Sequence, residues 1–270
     1  MQRKSLTTTL ANNPDLVSGI YNYCDRWCER CPLTSRCLVY ATEQDDVASA
    51  TSRDAENSDF WQNLMPYRAQ ADELIPEWAK HAGLDLNISE EHQPSSRRKK
   101  PSVDKHPLVR AGKDYANAAS DWFRTLDQTI DVSILSFIAN AADAAATGSE
   151  IDREVTLPFE SAREVVQWYQ YQISVKTMRA LSSRNDELDD SETNDSDGSA
   201  KVALIGVDRS IAAWRIIQLS LPERSDTIVP LILNLACLRN SLLNTFPKAS
   251  EFIRPGFDEL LTSNNSSNNK

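Results

Sequence analysis

Glycine, histidine and excess positive charge are all scarce in this chain of 270 residues. Seven glycines leave few sites for tight hairpins, and strand-like alternation is rare, so a β-rich architecture is excluded. The three histidines, His81, His92 and His106, fall at or within one proline- and serine-rich stretch. No Glu-x-x-His pair occurs, which removes a di-iron carboxylate bundle and leaves no histidine relay. A net charge of -10 and a pI near 4.9 exclude a broad basic face for a phosphate backbone and make a nucleic-acid partner unlikely. No run of eighteen apolar residues occurs, and the opening MQRKSLTTTLANNPD has no apolar signal core. The expectation is a cytoplasmic protein without a membrane segment.

What remains is helical. Apolar residues recur at three- and four-residue spacing over long stretches, which predicts an all-α fold: a C-terminal helical bundle carrying an N-terminal four-cysteine metal-binding module. The segments expected are 1–45, the cysteine module; 46–84, linker and helix; 85–107, a basic flexible linker; 108–262, the bundle, with a disordered acidic loop at 183–198; and 263–270, a disordered tail. In the second segment, Phe60, Trp61, Leu64, Tyr67, Leu74 and Trp78 share a helix predicted to break near Pro66 or Pro76 and to end at Gly83. Bundle helices are predicted over 113–146, from Pro158 through Leu181, over 199–221 and over 226–246. Trp122, Leu126, Ile130, Ile134 and Phe137 line the first of these. Ile228, Leu231, Leu235, Leu238 and Leu242 form a packing seam on the last.

Four of the five cysteines, Cys24, Cys28, Cys31 and Cys37, lie within fourteen residues. Beyond them only Cys237 occurs, expected as a core residue. In a reducing compartment such a cluster points to metal ligands rather than disulfides. Val17, Ile20, Cys24, Cys28 and Cys31 fit one helical stripe ended by Pro32, with Cys37 returning from a turn. On such a stripe neighbouring Cβ atoms stand ~5–6 Å apart, whereas four sulfurs around one zinc at ~2.3 Å stand only ~3.8 Å apart. The ligating sulfurs of a cubane are wider, so a [4Fe-4S] cluster is the first expectation and zinc the alternative. Tyr23 and Trp27 would shield the site, and Asp25, Arg26, Glu29 and Arg30 would surround it.

The segment Cys28-Glu29-Arg30-Cys31-Pro32-Leu33-Thr34-Ser35-Arg36-Cys37 resembles the cluster loop of helix-hairpin-helix DNA glycosylases, where Cys-x2-Cys-x5-Cys often carries proline after the middle cysteine. The resemblance implies a structural [4Fe-4S] cluster. It covers ten residues, and the first spacing differs, with three residues after Cys24 where that family has six. No catalytic lysine or aspartate in a glycosylase-like context accompanies it. The whole chain is similar to uncharacterised bacterial helical proteins that share the YCDRWCERCPLTSRC segment. Cys24-x3-Cys28-x2-Cys31 also matches the spacing of radical S-adenosylmethionine enzymes, but their alternating strands and helices have no counterpart here.

Other candidates carry less. Asp208 and Arg209 interrupt an apolar stretch and call for partners, for which Glu164, Lys176 and Arg179 are the candidates. Gly206 in the same helix suits close helix approach. Arg97, Arg98, Lys99, Lys100 and Lys105 read as a solvated linker, and Asp195-Ser196-Asp197-Gly198 fails as a calcium loop because Leu204 falls where a carboxylate belongs. The functional expectation is a metal-binding protein whose site is structural or redox-sensing and whose bundle is an interaction module with a protein partner. The competing class is an iron-sulfur redox or nucleic-acid-processing enzyme, for which no catalytic residue is found.

Overall fold

A computed structural model describes residues 13–43, 53–86, 102–129, 158–186 and 195–258. Among the described residues six α-helices follow in order: α1 Leu38–Glu43, α2 Asp54–His81, α3 Pro107–Thr129, α4 Phe159–Asp186, α5 Asp195–Ser220 and α6 Ser225–Thr245. No strand occurs among the described residues, so the chain is all-α. Helix α5 is apolar nearly all round and is the central element, packed against α2, α4 and α6; a helix of that kind can only be stable when enclosed. Helix α3 lies across α4 and α6.

Local chemistry sets the ends of these helices. Pro107 opens α3, where its missing N–H costs nothing, and His106 Nδ1 accepts from Leu108 N at 3.2 Å. Helix α2 closes in a Schellman arrangement: Leu84 N donates to Ala79 O at 2.9 Å and Gly83, at φ +63, donates to Lys80 O. The break expected at Pro66 or Pro76 does not occur, and α2 is continuous through both. Both prolines are exposed, as are Gln62 and Asp72 four residues before them, so water can satisfy the carbonyls that each ring frees.

The core is continuous from the N-terminal segment to α6, and α2 belongs to it through Phe60, Trp61, Leu64 and Ile75. Trp214 is fully buried, stacks on Phe123 at 5.3 Å and donates to Tyr115 Oη at 2.9 Å. Gly206 meets α4 as expected: a Cβ there would lie 3.0 Å from the Tyr169 ring. Residues 222–245, ending in α6, are long and apolar enough to cross a membrane by length and composition; here Ile228, Ile232, Leu235 and Leu242 of α6 are wholly buried in the bundle.

Two expectations are corrected. The acidic loop is shorter than 183–198, because α4 runs to Asp186 and α5 starts at Asp195. Residues 195–198 form the first turn of α5, with Ser196 to Gly198 buried; Ser196 Oγ donates to Ala180 O and Arg179 pairs with the partly exposed Asp195. The single N-terminal helix is also absent. In its place stand three short 3-10 turns, Ile20–Tyr23, Cys28–Arg30 and Thr34–Arg36. Gly19 at φ +75 and Arg26 at φ +61 interrupt any helical run. Ile130, Ile134 and Phe137, His92, the run Arg97 to Lys100, the centre of the acidic loop and the tail lie outside the described residues.

Candidate functional site

Loss of the helical stripe does not scatter the cysteines. Cys24, Cys28, Cys31 and Cys37 all line one partly open cavity of about 20 Å³, bordered by Ile20, Trp27, Leu33, Tyr40 and Phe257. Each sulfur sits at a turn boundary: Cys24 ends the first 3-10 turn, Cys28 opens the second, Cys31 ends it and Cys37 ends the third. Cys31 N donates to Cys28 O and Cys37 N to Thr34 O, both at 3.2 Å. The turns thus present four thiols inward without a helix. Among the described residues, no three or more His, Cys, Asp or Glu side chains form a group that could hold a metal ion.

The thiols feel one another. Burial first, then the charges of Cys24 and Cys37, push Cys28 up to about 11; burial pushes Cys31 up to about 12, with Asp25, Cys24 and Cys28 adding to it. Burial likewise raises Cys24. All three are protonated at neutral pH unless a positive group joins them.

The bundle holds this segment by its main chain. Helix α4 sends three side chains, at positions i, i+4 and i+8, to two adjacent carbonyls. Trp168 Nε1 donates to Asp25 O at 3.2 Å, Gln172 Nε2 donates to the same oxygen, and Lys176 Nζ donates to Cys24 O at 2.9 Å. From α2, Trp61 Nε1 donates to Arg30 O at 2.8 Å and Asn57 Nδ2 to Cys31 O at 3.0 Å. The Asp25 carboxylate accepts from Arg209 Nη1 at 2.7 Å and from the fully buried Tyr169 hydroxyl. Arg209 lies over Trp61 with its guanidinium carbon 3.5 Å from the ring centroid. Trp27 stacks on Trp168 at 4.9 Å and meets Trp61 and Tyr169 edge-on. Burial and then the Asp25 charge hold the Tyr169 phenol well above its ordinary range. Burial lowers Lys176.

The partners foreseen for Asp208 and Arg209 are therefore wrong. Asp208 bridges Arg68 and Arg239, Arg209 serves Asp25, and Glu164 pairs with Arg30 at 2.8 Å. Trp168, Tyr169, Gln172 and Trp61 were not foreseen as site residues. The one available signal was the four-residue spacing of Trp168, Gln172 and Lys176, which a sequence cannot separate from an ordinary helix face. Cys237 is half-buried and lines a separate cavity with Asp85, Tyr115 and Asn234.

A carboxylate clamps the third turn. Asp54 accepts from Thr34 N and Oγ1 at 3.0 and 2.5 Å and from Ser35 N and Oγ at 3.1 and 2.6 Å. Burial acts to raise Asp54, but these bonds prevail and hold it below the usual carboxylate range; Arg179 and Ser183 do the same for Asp195. A depressed carboxylate contributes stability above its unfolded pKa of ~3.9, and that contribution disappears as pH falls through the folded value. Acid titration should therefore release the cysteine segment below about pH 4. Tryptophan fluorescence should change before far-UV ellipticity, and Asp54→Asn should remove part of the pH dependence; coincident transitions unaffected by Asp54→Asn would contradict the clamp.

No family model matches this chain, and no match was found among curated proteins or among solved structures.

Proposed function

We propose that Cys24, Cys28, Cys31 and Cys37 hold a [4Fe-4S] cluster of structural or redox-sensing role and that the bundle is an interaction module for a protein partner. The observation carrying this reading is that four cysteines close in sequence line the wall of a single cavity. A cubane offers a separate iron to each sulfur, so it suits a wall of thiols better than zinc does. Bound there, it would supply cationic iron to stabilise the four thiolates and a one-electron couple. The chain's own residues would shield the site from water with Trp27, Leu33 and Phe257, and fix the ligand turns through Asp54, Asn57 and Lys176. The net charge and the absence of a recognisable catalytic group favour this over a nucleic-acid-processing or redox enzyme.

Anaerobic expression followed by iron, sulfide and zinc analysis tests it. Brown protein with about four irons and absorption near roughly 400 nm is expected; colourless protein with one zinc would replace the cluster by a structural zinc site, and metal-free protein would return the cysteines to packing. Cys28→Ser should abolish stoichiometric metal while far-UV ellipticity stays near wild type, because the bundle core does not depend on that sulfur. Retained metal, or global loss of helicity, would contradict the assignment.

A further inference from the structure

The bundle face beneath the cysteine segment is built to read a peptide. Side-chain donors from α2 and α4 are aimed at main-chain carbonyls of residues 24, 25, 30 and 31, none of them within a helix longer than one turn. Alongside them are two side-chain receptacles. One is the Arg209 guanidinium with the Tyr169 hydroxyl, which takes the Asp25 carboxylate. The other is the slot between Trp61 and Trp168, which takes the Trp27 indole. Main-chain donors confer affinity and spaced receptacles confer sequence preference, as in known modes of peptide capture. Buried aromatic and arginine anchors are where interface energy concentrates.

We infer that this face is a binding site for a peptide that turns a corner between an aspartate and a tryptophan two residues later, filled in cis by Asp25 and Trp27. The inference deepens the reading of the bundle as an interaction module, and rests on it, by naming the surface and the ligand. The cis occupant is suited to exchange. It consists of turns rather than regular structure, and its corner residue, Arg26, is held in left-handed backbone at φ +61, a conformation that persists only while the surroundings impose it. Displacing the corner would expose Trp61, Trp168, Tyr169, Gln172, Lys176 and Arg209 together. Those six bring three aromatic rings and two cations, with Glu56 and Glu164 on the rim beside Trp168, so the cations are what select an acidic aromatic ligand.

The test uses the full chain with Asp25→Ala and Trp27→Ala, which vacates both receptacles and keeps all four cysteines. The probe is a fluorescein-labelled peptide of residues 21–31 with its cysteines replaced by serine, read by anisotropy. Saturable binding at least about tenfold tighter than to the wild-type chain, whose own corner competes, is expected. Adding Arg209→Met should abolish it, and a control peptide with asparagine for Asp25 and alanine for Trp27 should not bind. A helical double variant that ignores the peptide, or binds the control equally, would overturn the inference. If the double variant loses far-UV ellipticity, Asp25→Asn alone is used, with the same two outcomes. Metal content of the wild-type chain decides the cluster independently. A partner bound by the wild-type bundle with no effect of Arg209→Met would keep the interaction module while removing this site.

Discussion

Asp208→Ala should cost the fold about 2–4 kcal/mol, lowering the melting temperature by roughly 5–15 °C. Asp208 Oδ1 accepts from Arg68 Nε at 2.9 Å and from Arg239 Nε at 2.8 Å, so one carboxylate joins α2, α5 and α6. The Arg68 side chain is 8% exposed and cannot turn to bulk water when its partner disappears. Removing one member of a buried pair costs ~3–5 kcal/mol. The figure here is lower because Asp208 is itself a quarter exposed and Arg68 keeps Asp72. Urea unfolding followed by ellipticity measures it. Arg124→Ala is the contrast: Arg124 and Asp121 are each about two-thirds exposed, so that change should stay within about 0.5 kcal/mol. Similar losses in both variants would mean that the Asp208 bridge has no special weight.

Gly198→Ala should unseat the N-terminal segment while leaving the bundle helical. A Cβ at Gly198 would lie 2.3 and 2.5 Å from two Tyr23 ring carbons and 2.8 Å from Phe252. Those rings already pack edge to face at 4.7 Å, so relieving the clash means breaking that contact and moving the rings away from α5. Alanine gains ~1 kcal/mol of helix propensity over glycine, whereas forced overpacking costs ~1–3 kcal/mol. Contacts this short place the cost at the upper end, for a net loss of about 2 kcal/mol. The loss should fall on docking of Tyr23, and with it the cysteine turns. Faster reaction of the thiols with a maleimide at unchanged far-UV ellipticity is the expected signature; unchanged thiol reactivity would show that the segment does not depend on this contact.

The bundle was legible because its information is local and periodic. The Ile228 to Leu242 seam follows helical spacing, and all five of its residues are buried as that spacing requires. The cysteine segment was legible in composition and misread in conformation. Ile20, Cys24, Cys28 and Cys31 satisfy a helical period by coincidence, because side chains converging from successive turns on one cavity can repeat every three or four residues too. What decides against a helix is the left-handed backbone at Gly19 and Arg26. The latter is a bulky residue in a conformation that its own sequence disfavours, held by the distant Arg209, Tyr169, Trp168, Gln172 and Lys176 together with the local bond from Trp27 N to Asp25 Oδ1. The same reason hid the start of α5: Asp195 to Gly198 reads as a solvated acidic run until Arg179 and Ser183 are placed beside it. Pro66 and Pro76 misled in the opposite direction: both sit on the exposed face, where water reaches the freed carbonyls, and the buried face packed on the core keeps the helix continuous through them.

The walls of the cysteine cavity come from segments far apart in sequence, Ile20 to Tyr40 and Phe257, and a ribosome makes those segments at different times. Cys24 to Cys37 emerge before the α4 side chains that take hold of Asp25, which follow well over a hundred residues later, and Phe257 arrives later still. At ~5–20 residues per second the four thiols wait roughly 10–40 s before their cavity can close. During that interval they are accessible to whatever iron, zinc or oxidant the surroundings provide. On the proposed reading, the group bound there would depend partly on the order of synthesis, and rapid dilution from denaturant, where all walls are present at once, would offer the cysteines a different choice.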